Sequence, residues 1–284
     1  SQGCGNVAIA GQGPVPRTLP SPEPQNGQQK PPHRIDPELM MSIENDAIET
    51  KLSAARTRLI LDKPFLGALV LRLPMHIAKP DWCPTTATDA RAFYYNPRYI
   101  QELSLEETEF MLAHEALHCA LSHFARRQHR VRHRWDLACD YAINPLLIDD
   151  GLRPPPNALH MPLYKGMTAA ESYPLLDDND ESETLDKHAY DKDNESKGSN
   201  SGITEKDLDD QSRSEQEPQQ GEDGGGNQAQ PQEAEGAGQP QPLTPDEQET
   251  LSVQWQQRMA GAAQQAMQHG KLGGELARMI DHLL

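Results

Sequence analysis

Aromatic residues are scarce in this 284-residue chain, with 4 Phe, 3 Trp and 7 Tyr making up 5% of it within a hydrophobic fraction of 36%. A chain folded throughout normally carries more, so the composition predicts that part of it is unstructured. Long apolar runs are missing too. No stretch approaches the ~18 consecutive apolar residues that span a bilayer, and no signal-peptide pattern is visible. The expectation is a cytoplasmic protein without a membrane helix. Cysteines are few: Cys4, Cys83, Cys119 and Cys139, with no CxxC pair. That argues against a disulfide framework and for reduced, mostly buried thiols. Basic residues are outnumbered, 26 Lys+Arg against 43 Asp+Glu, for a formal charge of -17. A general nucleic-acid binder needs a basic surface to neutralise phosphates, so nucleic acid is not an expected partner.

The acid is concentrated. Between Asp177 and Pro240 there are 19 Asp/Glu and 5 Lys/Arg, a balance of -14, which leaves -3 for the remainder. Residues 177–243 therefore read as an acidic, low-complexity, unstructured insertion, and residues 1–35, rich in Gly, Pro and Gln, as a flexible arm. Between and after them lie 36–176, a folded domain, and 244–284, helices expected to pack on it. Asp36 and Pro37 suit a helix start. The apolar positions Leu39, Ile43, Ala47, Leu52, Ala55 and Leu59 recur with helical spacing. Phe65–Leu71 fits either a helix or a strand. Ala92–Tyr95 is β-prone and is closed by the Asn96-Pro97 turn signal. Capping boxes open helices at Ser104/Glu107, Thr168/Glu171 and Thr244/Glu247, the first running to about Arg127. A second helix spans roughly Trp135 to Leu147, and a break falls near Gly270–Gly274.

The first of these capped helices contains His114-Glu115-Ala116-Leu117-His118. Residues four apart lie about 40° apart around a helix, so both imidazoles can reach one Zn²⁺ ion. Glu115, rotated by about 100°, falls beside the metal-bound water, whose proton it can take and pass to the leaving group. Composition alone produces one HExxH in roughly a few per cent of such chains. The context adds weight: a capped helix, the flanking apolar residues Phe110, Leu117, Leu121 and Phe124, and a preceding strand that could line a cleft and pair with an extended peptide.

A third protein ligand is needed. On a continuous helix His123 falls on the face opposite His114, and His129 and His133 suit a basic surface connection. The Arg126–Arg134 run suits a solvated face or a contact to the acidic insertion. The HExxHxxGxxH pattern is absent, and Trp135–Leu147 contains no Glu. Asp136, Asp140 and Asn144 form one polar stripe, usually a wet face. Asp136, near the expected helix start, has an alternative role in capping. Asp140 lies a turn inside beside Ala138 and Cys139, where an inward carboxylate needs a cation or strong donors, and Zn²⁺ compensates it directly. The expected site is His114, His118 and Asp140 on one Zn²⁺, with Glu115 catalytic.

Phe93-Tyr94-Tyr95-Asn96-Pro97, the helix HEALHCALSHFARR, WDLACDYAINPLL, and Tyr164-Lys165-Gly166-Met167 followed by Glu171 and Tyr173 together resemble the bacterial putative metallopeptidase domain family, often joined to a von Willebrand factor A-like domain. The resemblance covers 36–176 and extends to 244–284. It implies a zincin-like, mainly helical α+β fold with a small sheet beside the HExxH helix. It implies the same His114, His118 and Asp140 ligands, with Glu115 catalytic, and a protein or peptide substrate. An AAA+ ATPase partner is a further implication. The sequence departs from the pattern in showing no DxSxS motif of an A-like domain. The leading expectation is a zinc-dependent metallopeptidase. The alternative is a non-hydrolytic metal-bound interaction module, recognisable by a fourth protein ligand where the peptidase would hold water.

Overall fold

The computed structural model describes residues 37–177, 180, 182–190 and 236–283. The expected arm, and the insertion from 191 to 235, lie outside the described residues. The elements in chain order are α1 (Pro37–Asp62), α2 (Pro64–Val70), β1 (Met75–Ile77), β2 (Thr86–Thr88), β3 (Phe93–Tyr95), α3 (Pro97–Glu102), α4 (Leu105–Ala120), α5 (His123–Arg126), α6 (Arg132–Asp149), α7 (Ala169–Ser172), β4 (Lys187–His188), α8 (Pro245–Gln268) and α9 (Gly274–Leu283), with short 3₁₀ turns at Pro162–Tyr164 and Tyr173–Leu175. The fold is mainly helical α+β with a small mixed sheet.

Helix α4 is the hub. It packs on α1, α2, α6 and α8 and touches β2. Because it is enclosed on so many sides, every residue from Phe110 to Ala120 is buried. The three expected capping boxes form at α4, α7 and α8, and Asn96 Oδ1 accepts from the Arg98 amide to cap α3. The buried stripe of α1 is Ile48, Leu52, Ala55 and Leu59, whereas Ile43 is 53% exposed. Leu52, Ala55 and Leu59 are buried as the spacing predicts, while Ile48 is buried in place of the exposed Ala47, because α4 and α2 cover only the later turns. The ambiguous Phe65–Leu71 run is helical in α2. A Cβ on Gly67 would stand 2.6 Å from the Ile60 backbone, so glycine lets α2 fold back against α1.

The sheet has the order β1-β3-β2-β4. β1 runs parallel to β3, β2 antiparallel to β3, and β4 parallel to β2. The β-prone run at 93–95 is therefore an inner strand. The strand against the HExxH helix is β2, and its outer side is taken by β4. The expectation that 177–243 is unstructured throughout does not hold at its beginning: Leu185, Asp186, His188, Ala189 and Tyr190 are all buried. Leu185, Ala189 and Tyr190 supply apolar surface within an otherwise acidic run, and the burial of Asp186 and His188 depends on what α6 and β2 offer them.

Candidate metal centre

His114 and His118 leave α4 one turn apart, with Glu115 adjacent to His114, and all three are 0% exposed. Asp140 comes from the middle of α6, which packs on α4, and is also 0% exposed. Asp186 enters from the loop just before β4. His118 Nε2 lies 3.0 Å from His114 Nε2 and 3.4 Å from Asp140 Oδ1. His114 Nε2 lies 3.6 Å from Asp140 Oδ1 and 3.4 Å from Asp186 Oδ1. The four donor atoms all fall within 4.8 Å of one another. A tetrahedral ion with donors at about 2.0–2.1 Å would give donor–donor edges of about 3.3 Å, which the four measured edges bracket. Both oxygens of Asp140 lack hydrogen bonds within the protein. Buried, unpaired carboxylates cost several kcal/mol each, so the donor set fits a divalent cation.

The orienting contacts fit as well. His114 Nδ1 lies 2.9 Å from Asn144 Oδ1, and Asn144 Nδ2 donates to the Leu159 carbonyl at 2.9 Å. An amide held that way round presents only its oxygen, so it accepts from Nδ1–H and leaves the His114 Nε2 lone pair facing the cluster. His118 Nδ1 lies 3.2 Å from His123 Nδ1. His123 is buried and accepts a hydrogen bond from Trp135 Nε1 on its carbonyl. Sequence spacing had put His123 on the far side of one long helix. Instead α4 ends at Ala120, Ser122 takes a left-handed φ of 52°, and α5 begins at His123. That kink swings His123 back beneath His118.

The polar stripe of α6 turns inward, with Asp140 and Asn144 fully buried and Asp136 13% exposed. Asp136, Asp140 and Asn144 face His188, the donor cluster and His114 in turn. Asp136 does not cap its helix, because α6 begins a turn earlier, at Arg132. Its Oδ1 lies 2.7 Å from His188 Nδ1, while His188 Nε2 lies 3.1 Å from Asp186 Oδ2. Sequence reasoning missed Asp186 and His188 altogether. The only hint was one His and one apolar cluster within an otherwise acidic run.

Electrostatics follow from burial. Burial pushes the Asp140 carboxyl up to about 7, with the neighbouring Asp186 adding to the effect and His114 opposing it. Burial and Asp186 hold the Glu115 carboxyl well above its ordinary range, against a nearby Thr86 hydroxyl. Burial also opposes ionisation of Asp186 and His188, yet the two charges facing each other prevail: Asp186 is held well below the usual carboxylate range and His188 well above the usual imidazole range. Burial and the facing His188 and His114 keep His118 well below its ordinary value, so it is a neutral donor. Cys139 stands near His118 and His123, but burial and Asp136 push its thiol up, which leaves it a weak ligand. Cys83, Cys119 and Cys139 are buried and unpaired. Of the basic run, His129 and His133 are exposed. Arg130 stacks over Trp135 and Tyr173, and Arg134 over Tyr173, so part of the run packs on aromatics and is not simply solvated. No described helix is long and apolar enough to cross a membrane.

Two histidines four apart on the buried helix α4 and a carboxylate from α6 form a group that could hold a metal ion, with Glu115 buried between the histidines. A family model described as "Putative metallopeptidase domain" matches residues 47–284, and the chain belongs to that family. No curated protein and no solved structure matches it. Membership at this level supports a metal-dependent peptidase acting on protein or peptide substrates.

Proposed function

We propose that this chain is a zinc-dependent peptidase in which His114, His118 and Asp140 hold one Zn²⁺ and Glu115 is the general base. The observation that carries the reading is Glu115 itself. It is fully buried, and neither carboxylate oxygen makes a well-formed hydrogen bond. A structural metal site has no use for such a group, whereas hydrolysis requires a base beside the metal. Two imidazoles and a carboxylate are a normal catalytic zinc set, and an ion held there would supply Lewis acidity and make a water molecule more acidic. Glu115 accepts the proton on a carboxylate oxygen and returns it to the departing amine. Asn144 holds the His114 imidazole in the tautomer that presents Nε2, and His123 Nδ1 packs against His118 Nδ1. The three unpaired buried thiols fit a reducing, cytoplasmic setting.

One observation favours the alternative of a non-hydrolytic metal-bound module: Asp186 stands as a fourth protein donor. Glu115→Gln separates the two. For the peptidase, the variant retains fold and metal content while cleavage of a peptide library falls by about 10²-fold or more. Undiminished cleavage overturns the assignment, and loss of metal makes Glu115 part of the coordination network.

A further inference from the structure

The two things a peptide substrate would need are both taken by one short piece of this chain. The first is the fourth position that an ion held by His114, His118 and Asp140 would offer. Asp186 Oδ1 reaches within 3.4 Å of His114 Nε2, and its side chain is 0% exposed. The second is the free edge of β2, the strand against the HExxH helix. β4 occupies it in parallel register, with Ala87 opposite Lys187 and Thr88 opposite His188, and the Ala189 amide donates to the Thr88 carbonyl at 2.9 Å. An extended peptide adding to that edge would use the same backbone groups. The piece is held by side chains on α6 as well. Arg132 donates to the His188 carbonyl at 2.8 Å, and Asp136 pairs with His188.

We propose that residues 184–190 are an internal plug, with Asp186 as a displaceable fourth metal ligand and β4 as a stand-in for the substrate strand, so that the structure is the latent state of the enzyme. The inference rests on the peptidase reading and deepens it: the substrate is an extended segment that must displace β4. Several observations set the plug apart from a permanent part of the site. Its ladder with β2 is only two residues long. Its anchors to α6, Arg132 and Asp136, are not among the four metal donors. Glu115, the base that a closed four-ligand site would leave idle, is retained next to it. A minor plug-out population sets the apparent activity, which scales with the fraction competent.

The test uses the full chain loaded with cobalt(II) in place of zinc, and azide as the probe of an open coordination position. The expected result is a wild-type visible spectrum indifferent to azide. Asp186→Ala should have a changed spectrum that responds to azide, and should cleave a peptide library at least about tenfold faster than wild type. Asp186→Asn, which keeps the shape, repeats the test where the alanine variant folds poorly. A spectrum unchanged by both substitutions removes Asp186 from the metal. A wild-type spectrum that already responds to azide shows no plug. Loss of cobalt from folded Asp186→Asn makes the residue an obligatory ligand, and each of these three results overturns the proposal. If both proteins cleave equally and Glu115→Gln abolishes cleavage, latency fails and the peptidase stands. If Asp186→Ala opens to azide but neither protein cleaves, the ligand assignment stands and the peptidase reading fails.

Discussion

Asn144 and His114 are joined across the α6–α4 interface, Asn144 Oδ1 lying 2.9 Å from His114 Nδ1 with both residues fully buried. The contact decides which imidazole nitrogen faces the donor cluster. Replacing Asn144 with Leu removes the acceptor and frees His114 to take the wrong tautomer. Zinc affinity should fall about 10–100-fold while helix content is retained, as read by competition with a fluorescent chelator and far-ultraviolet circular dichroism. Unchanged affinity would mean that Asn144 serves packing alone.

Asp140 and Asp136, one turn apart on α6, should behave differently. Asp140→Ala removes a donor and should weaken zinc binding by more than about 100-fold, beyond what loss of an orienting partner costs. Asp136→Ala should leave zinc bound and helix content unchanged. It leaves His188 without its second acid, so β4 should open more often, and the Ala189 amide should exchange with deuterium faster than in wild type.

Stripping the metal should destabilise the fold. The buried carboxylates of Asp140 and Glu115 would then lose their compensating cation. An ion present at 100 times its Kd contributes about 2.7 kcal/mol, equivalent to a fall in melting temperature of roughly 5–10 °C for a domain of this size. Calorimetry before and after a strong chelator measures it, and re-addition of zinc should restore the transition. No shift on chelation would count against a bound structural or catalytic ion.

Gly67→Ala tests the α1–α2 packing independently of the metal. Its Cβ would stand 2.6 Å from backbone atoms of Ile60, which cannot yield as a side-chain tip could. The expected cost is about 1–3 kcal/mol of stability, read from the urea midpoint, with zinc stoichiometry unaltered.

Much of the candidate site was legible because it is local. The i, i+4 spacing on a helix brings His114 and His118 together whatever the rest of the chain does, and the capping boxes at Ser104, Thr168 and Thr244 follow from side-chain reach to nearby amides. Asp140 could be named because α6 follows α4 after a short connection and offers few other donors. His123 could not be placed, because nothing in Ala120-Leu121-Ser122 announces a left-handed residue. Ser122 is tied to α8 by a hydrogen bond from Ser252 Oγ at 3.0 Å, a contact no local pattern announces.

The amino-acid sequence by itself determined the HExxH helix, its cap, the acid-rich composition of 177–240 and the family pattern. All of these depend on residues within a few turns of one another or on bulk composition. Only the tertiary structure decided that Asp140 and Asn144 are buried and that Asp136 turns to His188, that β2 and not β3 lies against the HExxH helix, and that Asp186 and His188 enter the site. The physical reason is range. Asp186 is separated from His114 by 72 residues, and its seat exists only where α4, α6 and the edge of β2 converge. Charge and polarity along the chain predict solvent for such a segment, whereas a buried set of opposite charges and an open strand edge can hold it inside.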